Sequence, residues 1–180
     1  MKKKSLPTFR RYTDLLALID ILKNKKITFL PPSSWDDRND RYLMDVYKQV
    51  KGLKTLLALC FSQQRSEKSH HWRVFAPGNA GVSIEFNRDV LLNPLKEEDG
   101  FRYSCVHYKR KEDLDRSKIP DDDLPFIKRC AYQDEKEFRI LFSSKEHFSE
   151  SDTSGQAGGL ENHGPLKAVV NQWPPKRWRP

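Results

Sequence analysis

The sequence lacks any apolar run long enough to cross a membrane. A spanning helix needs about 20 consecutive apolar residues, and every apolar stretch here is interrupted well before that length. The basic residues Lys2, Lys3 and Lys4 lead into no apolar segment like that of a secretory signal. We therefore expect no membrane partner and a cytoplasmic location.

Cysteine is also scarce, since Cys60, Cys105 and Cys130 are the three in the chain. An odd number at wide spacing favours neither a disulfide framework nor a zinc site, and it suits a reducing compartment. Residues 78–81 are rich in glycine but precede a strand pattern, so they do not form a phosphate-binding loop. Ser62 has no Gly-x-Ser-x-Gly elbow around it, which argues against a hydrolase nucleophile. We expect no bound metal.

Positive charge is in excess, because 33 Lys and Arg residues against 25 Asp and Glu give a net charge of +8. Such a balance favours anionic partners, and a nucleic acid or an acidic protein surface is expected among them. The 180 residues predict a single domain with its core over about residues 9–170. A basic leader over residues 1–6, a mobile segment over residues 149–165 and a tail over residues 173–180 complete the prediction.

Short strands and helices follow one another without regular alternation, which predicts an α+β fold with a mixed or antiparallel sheet. The apolar spacing from Leu15 to Leu22 predicts a helix over about residues 14–24, capped by Thr13 or Asp14. A second helix is predicted around residues 43–50, and a short one over residues 124–131. Strands are predicted over residues 7–13, 26–30, 55–61, 82–86, 101–108, 132–142 and 166–170.

The stretch over residues 132–142 combines apolar and charged side chains with a period of two. Its apolar face holds Phe138, Ile140 and Phe142, and its charged face holds Glu135, Glu137 and Arg139. One interpretation is a solvated strand face with a cross-strand ion pair. The other is a pair of carboxylates that project into a cleft, where they stabilise a developing cation or share a proton. The sequence pattern leaves both interpretations open.

The adjacent histidines His70 and His71 are predicted to lie on a surface loop. Neighbouring side chains point apart, and no Cys or carboxylate lies at the spacing that a metal site needs. One further hypothesis uses them nonetheless. A metal-independent nuclease could be built from His70, His71, Glu137 and Arg139.

Six segments follow one another along the chain: Arg11-Tyr12, residues 32–37, residues 60–62, Trp72, residues 81–86 and residues 135–139. In this order they make the chain resemble DUF2971, a bacterial and phage family of unknown function. The start of the chain, Arg11-Tyr12-Thr13 followed by a helix pattern, is also similar to the strand–helix opening of ADP-ribosyltransferases. This second resemblance implies an ADP-ribosyltransferase-like sheet with flanking helices.

The resemblance to ADP-ribosyltransferases also implies roles for individual residues. Glu137 would be the catalytic acid that hydrogen-bonds the ribose of NAD, and Glu135 would support it. The implied cofactor-binding residues are Arg11, Tyr12, Thr13, Ser62 and Trp72, and the implied substrate-binding residues are Asp36, Asp37 and Arg139. For Trp72, anchoring of a loop to the core is an equally good interpretation.

The chemistry implied by this resemblance suits the residue types. Cleavage of the nicotinamide–ribose bond develops an oxocarbenium-like cation, which a fixed carboxylate stabilises. Arg11 offers a planar fork that matches phosphate oxygens. We therefore predict a protein that binds NAD and transfers ADP-ribose to a macromolecule, as a toxin or phage-defence protein would. The alternative is a non-catalytic module that binds nucleic acid or an acidic protein through its basic surface.

Overall fold

A computed structural model describes residues 8–64, 66–76, 80–115 and 118–148, together with the backbone of residues 169–172. The predicted basic leader, the segment over residues 149–165 and the C-terminal tail lie outside these residues. The chain divides into two compact units. Unit 1 comprises Met1–Ile27, Phe61–Glu97 and Ala157–Pro180, and unit 2 comprises Thr28–Cys60 and Glu98–Gln156.

Helices and strands are mixed along the chain. The strands are β1 (Thr8–Asp14), β2 (Thr55–Ser62), β3 (Gly81–Asn87), β4 (Phe101–Cys105), β5 (His107–Lys109), β6 (Ile127–Arg129), β7 (Glu137–Ser144) and β8 (Val169–Gln172). The α-helices are α1 (Leu15–Asn24), α2 (Arg38–Val50), α3 (Ser69–Phe75) and α4 (Arg88–Leu92). Most strand pairs are antiparallel, in agreement with the coarse form of the predicted fold. Among the described residues, no helix has the length and apolar character that crossing a bilayer requires.

In unit 1, β1 and β3 form a long antiparallel ladder. Arg10 lies opposite Glu85 in this ladder, and Tyr12 lies opposite Ser83. Arg10 is also the partner of Ser62 at the end of β2. On its other edge, β3 pairs with the backbone of β8. The register therefore places Arg10, Tyr12, Ser83 and Glu85 on one face of the ladder, since side chains alternate along a strand.

The opposite face of the unit 1 ladder is apolar. The ring centroids of Phe9 and Phe61 lie 5.5 Å apart, and those of Phe61 and Phe86 are also separated by 5.5 Å. Arg11 follows the alternation of β1 and lies on the Phe9 side, away from Tyr12. Neighbouring residues of β1 therefore face opposite sides, one toward the buried polar face and the next toward the aromatic core.

The predicted first helix and its cap are confirmed. The Oδ1 atom of Asp14 accepts a hydrogen bond from the backbone N of Ala17 at 2.8 Å. This bond satisfies one of the amide donors that a helix N-terminus leaves without a partner. The helix ends at Asn24, and Lys25 then takes a left-handed conformation with φ of 53°.

In unit 2, β7 lies between β4 and the first part of β2. An apolar cluster from α2, these strands and the connecting segments forms the core of this unit. Its buried members are Met44, Tyr47, Leu56, Ala58, Ile119, Leu124, Phe126, Ile127 and Leu141. The near-continuous apolar sequence of β2 matches its burial along most of its length, as the sequence predicts.

The strand predicted over residues 26–30 is wrong. A single isolated bridge joins Leu30 to Ala58, with two hydrogen bonds of 2.9 and 3.0 Å between their backbones. Pro31 and Pro32 follow at once, and neither has an N–H group with which to extend the ladder. The pairing therefore stops after one residue.

The helix predicted over residues 124–131 is also wrong. This stretch contains the end of a 3₁₀ helix (Asp121–Phe126), the strand β6 and the start of a second 3₁₀ helix (Cys130–Glu135). Pro125 lies inside the first of these and cannot donate the hydrogen bond that a continuing α-helix would need. β6 then pairs in parallel with β5.

Two glycines in unit 2 offer a matched test of backbone constraint. Gly100 has φ of +84°, and a β-carbon added there would lie 2.8 Å from the carbonyl oxygen of Ser143. Gly52 has φ of +62° with no atom within 4 Å of the same position. We expect Gly52→Ala to lower the free energy of unfolding by about 1 kcal/mol through left-handed strain alone. Gly100→Ala should lower it further, because the new methyl group also meets backbone. Denaturant unfolding measures both, and equal losses would contradict this account.

Candidate functional site

Charged side chains of unit 2 meet in its interior. The group consists of Asp40, Lys128, Glu135, Glu137 and Arg139, and we call it the buried charge cluster. All five residues are at most 9% exposed. Three carboxylates thus accompany two cations away from water. Such burial is costly unless each charge is paired and hydrogen-bonded.

Arg139 is the centre of the buried charge cluster. Its Nη1 and Nη2 atoms donate to the two carboxylate oxygens of Asp40 at 2.8 and 2.5 Å. Its Nε and Nη2 atoms donate to the two oxygens of Glu137 at 2.6 and 3.0 Å. Nη1 also donates to the carbonyl of Pro125 at 2.8 Å, and the guanidinium carbon lies 4.9 Å from the centroid of the Trp35 ring. One guanidinium therefore joins α2, β7 and the 3₁₀ helix before β6.

Lys128 joins the two glutamates. Its Nζ atom donates to Oε2 of Glu135 at 2.6 Å and to Oε2 of Glu137 at 3.2 Å. Asp40 lies further away, with Oδ2 at 3.6 Å from Nζ, and the Tyr132 ring centroid is at 4.9 Å. The ammonium group thus bridges the carboxylates that the sequence analysis singled out.

The local backbone explains how Glu135 and Glu137 reach one cation. Glu135 ends a 3₁₀ helix, Lys136 has φ of 43°, and β7 begins only at Glu137. The prediction that Glu135 belongs to the strand is therefore wrong, because the left-handed residue turns the chain before pairing starts. Glu137 and Arg139 do share a strand face. Of the two interpretations left open, the solvated face is excluded, since Glu135, Glu137 and Arg139 are all buried.

The two glutamates have opposite pKa shifts. Burial alone would raise the pKa of Glu137, but the charges of Arg139 and Lys128 outweigh it and lower the pKa to about 2. For Glu135, burial is the larger effect and raises the pKa, although Lys128 opposes it. Burial likewise raises the pKa of Asp40 against the charge of Arg139. Glu137 is consequently ionised at neutral pH, whereas protonation of Glu135 is made easier.

Two further side chains contact Glu137. The thiol of Cys60 hydrogen-bonds the Glu137 carboxylate. Cys60 keeps some exposed surface, but desolvation and the charge of Glu137 both raise the pKa of its thiol. The backbone N of Glu137 donates to the hydroxyl oxygen of Tyr108 at 2.9 Å. Burial raises the pKa of Tyr108 to about 12. Both groups are therefore neutral near pH 7 and add hydrogen bonds without adding charge.

The predicted substrate-binding aspartates lie at the start of α2. The Oδ1 atom of Asp37 accepts from the backbone N of Asn39 at 2.9 Å and from that of Asp40 at 3.4 Å, which makes Asp37 the cap of this helix. Burial alone would raise the pKa of Asp37, but these backbone donors lower it. Asp36 is exposed. Capping accounts for Asp37 without a substrate.

The predicted cofactor-binding residues belong to unit 1 and lie on both faces of its ladder. Tyr12 and Ser62 are on one face, and Arg11 and Thr13 are on the other. Trp72 is 2% exposed and packs edge-on against Tyr12, with ring centroids 5.0 Å apart. The fold thus brings Tyr12 and Trp72 together and separates Arg11 from them. The anchoring interpretation of Trp72 fits its burial.

The prediction of a surface loop at the two histidines is wrong. Both lie in α3, where His71 is completely buried and its ring centroid lies 5.4 Å from that of Tyr12. The buried residues of this helix are His71 and Trp72, and Phe75 stacks near Tyr12 and His71 although it is 39% exposed. His70 is exposed. For the nuclease hypothesis, the histidines belong to unit 1, whereas Glu137 and Arg139 belong to unit 2.

Sequence reasoning missed Asp40, Lys128 and Cys60. Asp40 looks like an ordinary acidic residue in the first turn of a helix, where the helix dipole favours it. Lys128 follows the apolar residues 124–127 directly, and a cation in such a place is a weak signal of a buried partner. Cys60 carried a signal only through the family resemblance.

Comparison with known families connects part of the chain to other proteins. A family model described as a protein of unknown function (DUF2971) matches residues 71–140. We call this matched stretch the DUF2971 segment. This segment includes Trp72, β3 and Glu137, and it begins after Arg11 and Ser62. No curated protein and no solved structure matches the chain.

The DUF2971 segment supplies most of the buried charge cluster. Lys128, Glu135, Glu137 and Arg139 lie within it, and Asp40 comes from α2 outside it. In the part of the chain that the structure describes, no three His, Cys, Asp or Glu side chains are grouped so that they could hold a metal ion. The carboxylates of the cluster are instead bonded to its two cations.

Two lysines of the DUF2971 segment allow a matched test of the cluster. Lys128 is buried among carboxylates, whereas Lys118 pairs with Asp115 at 3.2 Å with its side chain 80% exposed. We expect Lys128→Met to lower the free energy of unfolding by about 3 kcal/mol, because it removes the buried cation that Glu135 and Glu137 share. Lys118→Met should change it by less than about 0.5 kcal/mol. Urea unfolding of both variants measures the difference. Similar effects would show that the cluster contributes no more than a surface pair.

The pKa of Glu137 predicts a specific acid sensitivity. Its folded pKa of about 2 lies below the ordinary value of 4.5, so its ionisation stabilises the fold above pH 4.5. That contribution is lost as the pH falls from about 4.5 toward 2. The raised pKa values of Asp40 and Glu135 act in the opposite sense, since protonation of these groups favours the folded state.

A comparison of two variants isolates the Glu137 contribution. We expect the unfolding free energy of Glu137→Gln to fall less steeply between pH 4.5 and 2 than that of the unmodified protein. Glu98→Gln, at an exposed glutamate, should keep the original slope. Urea unfolding at constant ionic strength across this range gives the three profiles. Parallel profiles for all three proteins would refute the assignment.

Proposed function

We propose that the protein binds NAD and transfers ADP-ribose to a macromolecule, in an ADP-ribosyltransferase-like fold. The observation that carries this proposal is the junction of Glu135 and Glu137 at Lys128, with opposite pKa shifts. Carboxyl pairs whose surroundings separate their pKa values occur where a protein divides acid–base work between two like groups. A further support is the similarity of the strand–helix opening at Arg11-Tyr12-Thr13 to that of ADP-ribosyltransferases.

Glu137 supplies negative charge in this mechanism. Departure of nicotinamide leaves positive charge on the ribose ring, and a fixed carboxylate lowers the free energy of that transition state. Arg139 and Lys128 keep Glu137 ionised and hold its orientation. The carboxylate therefore does not need to reorganise during the reaction.

Glu135 accepts the proton in this mechanism. The acceptor hydroxyl or amine attacks the anomeric carbon of the ribose as the bond to nicotinamide breaks, and nicotinamide departs as a neutral base. The proton of the acceptor passes to the Glu135 carboxylate and then to solvent. A raised pKa makes Glu135 the better proton acceptor of the two glutamates.

The NAD contacts follow from the resemblance and form part of the proposal. Tyr12, Ser62 and Trp72 would contact the cofactor on the buried polar side of unit 1. Arg11 and Thr13 lie on the opposite face of the ladder and cannot contact the same molecule, so the proposal leaves them out. Asp36 and Asp37 would contact the acceptor. Tyr12 and Trp72 give these roles the most support, because their rings already pack against one another.

A second candidate function is a non-catalytic binding module. The observation that favours it is that both oxygens of Glu137 already accept hydrogen bonds from Arg139 and Lys128. In this view the buried charge cluster serves the fold alone. The net charge of +8 would then attract nucleic acid or an acidic protein.

Nicotinamide release from NAD separates the two functions. Glu137→Gln should reduce release by on the order of 100-fold, because the charge that stabilises the transition state is lost. Glu135→Gln should reduce it less, and Glu98→Gln should leave it unchanged. Circular dichroism and NAD affinity checked in parallel show whether a variant is folded and still binds.

Two outcomes would contradict the transferase proposal. One is full activity in folded Glu137→Gln. The other is an unmodified protein that releases no nicotinamide and has no NAD affinity, yet binds polynucleotide with a steep dependence on salt. The second outcome would favour the binding module.

A further inference from the structure

Unit 1 gathers buried polar atoms that lack hydrogen bonds. Within the described residues they include Nε and Nη1 of Arg10, the hydroxyl of Tyr12 and the hydroxyl of Ser83. Arg10 and Tyr12 are each 8% exposed, and Ser83 is completely buried. A buried polar group without a partner costs about 1–3 kcal/mol. Several such groups in one place therefore need an explanation.

These atoms lie together on one face of the β1–β3 ladder. Tyr12 is directly opposite Ser83, and Arg10 is directly opposite Glu85 two residues further along. Directly opposite side chains on an antiparallel pair lie roughly 5 Å apart at the β-carbon, and diagonal neighbours about 7–8 Å apart. The side chains of Arg10, Tyr12 and Ser83 therefore lie within the span of one small ligand.

Arg10 is only partly satisfied by the protein. Its Nη2 atom donates to Glu85, whose side chain is 26% exposed and marks where solvent reaches this face. Burial lowers the pKa of Arg10, but Glu85 and Tyr12 raise it above its ordinary value, so the guanidinium stays charged. Burial raises the pKa of Tyr12, and the side chain of Arg10 opposes this effect through a weak polar contact and through its charge. That contact falls short of full hydrogen-bond geometry at the Tyr12 hydroxyl.

We infer that this face of unit 1 is a binding site for a phosphate group, held by Arg10, Tyr12 and Ser83. A guanidinium has only donors to offer, and the two hydroxyls can donate as well, so the missing partner is a group rich in acceptor oxygens. Phosphate oxygens form the strongest hydrogen bonds with such a set. The site does not depend on NAD cleavage and would serve a non-catalytic module equally well.

The carboxylates nearby refine the ligand class. Glu85 already offsets the charge of Arg10, and Glu67 is near enough to raise the pKa of Tyr12. Binding therefore rests on several convergent hydrogen bonds rather than on a net positive field. The phosphate could be free inorganic phosphate or part of a nucleotide, and these two sources are separable by experiment.

Stability without ligand gives the first half of the test. Tyr12→Phe and Ser83→Ala remove hydroxyls that make no hydrogen bond, so the melting temperature of the ligand-free protein should stay the same or rise. Removal of a hydroxyl that is hydrogen-bonded within the fold would instead lower the melting temperature clearly. A clear loss in both variants would overturn the inference, since it would mean that these groups are already bonded. Arg10→Gln is less informative, because it leaves Glu85 without its cation.

Ligand binding gives the second half. Calorimetric titration with inorganic phosphate and with ADP should show binding to the unmodified protein. Each of Tyr12→Phe and Ser83→Ala should weaken it by about 3- to 10-fold, the loss of one hydrogen bond. Glu98→Gln, at an exposed residue of unit 2, should leave the affinity unchanged. Tighter binding of ADP than of phosphate identifies a nucleotide as the source, and equal affinity identifies the free anion.

Two results would overturn the site. Neither phosphate nor ADP binds at millimolar concentration, or both bind with affinities that Tyr12→Phe and Ser83→Ala leave unchanged. Nicotinamide release by the unmodified protein and by Glu137→Gln reports on the transferase proposal, whether or not phosphate binds to unit 1. Failure of the phosphate site and failure of the proposed transferase function are thus distinguishable.

Discussion

The hydrogen bonds from Arg139 to Asp40 and Glu137 are the interaction on which unit 2 depends. The guanidinium is 1% exposed, and removing such an ion from water costs several kcal/mol before pairing offsets it. Only a fixed arrangement of α2 and β7 supplies all of its acceptors, with the carbonyl of Pro125 as the last. Any slip of β7 in its ladder with β4 would leave buried charges without partners. Register and charge pairing therefore constrain one another.

The buried charge cluster holds three carboxylates and two cations. Arg139 donates to Asp40, Glu137 and Pro125, and Glu135 accepts from Lys128. Glu135 is 3% exposed, and burial raises its pKa. Buried carboxyls with raised pKa values are candidates for acid–base roles. This is why the proposed function assigns proton transfer to Glu135 and the fixed charge to Glu137.

Local patterns in the sequence predict only part of the local structure. The apolar spacing in α1, its Asp14 cap and the apolar run of β2 are each set by neighbours in the chain, and all were predictable. Glu135 was assigned to the wrong element because a single left-handed residue, Lys136, interrupts the alternation. The sequence does not indicate the partner of Arg139, for a different reason. Asp40 is 99 residues away, and no periodicity links positions so distant.

For the neighbouring residues Arg10 and Arg11, the family resemblance and the strand alternation point to different side chains. The resemblance implies that Arg11 binds the cofactor, but the alternation of β1 places Arg10 beside Tyr12 and Arg11 on the Phe9 side. The two units then differ in how their polar groups are satisfied. In unit 2, the cations of the buried charge cluster are already paired with its carboxylates. Their role is therefore to keep these carboxylates charged and in position. In unit 1, Nε and Nη1 of Arg10 are buried without a hydrogen-bond partner among the described residues, and the proposed phosphate would supply the acceptors.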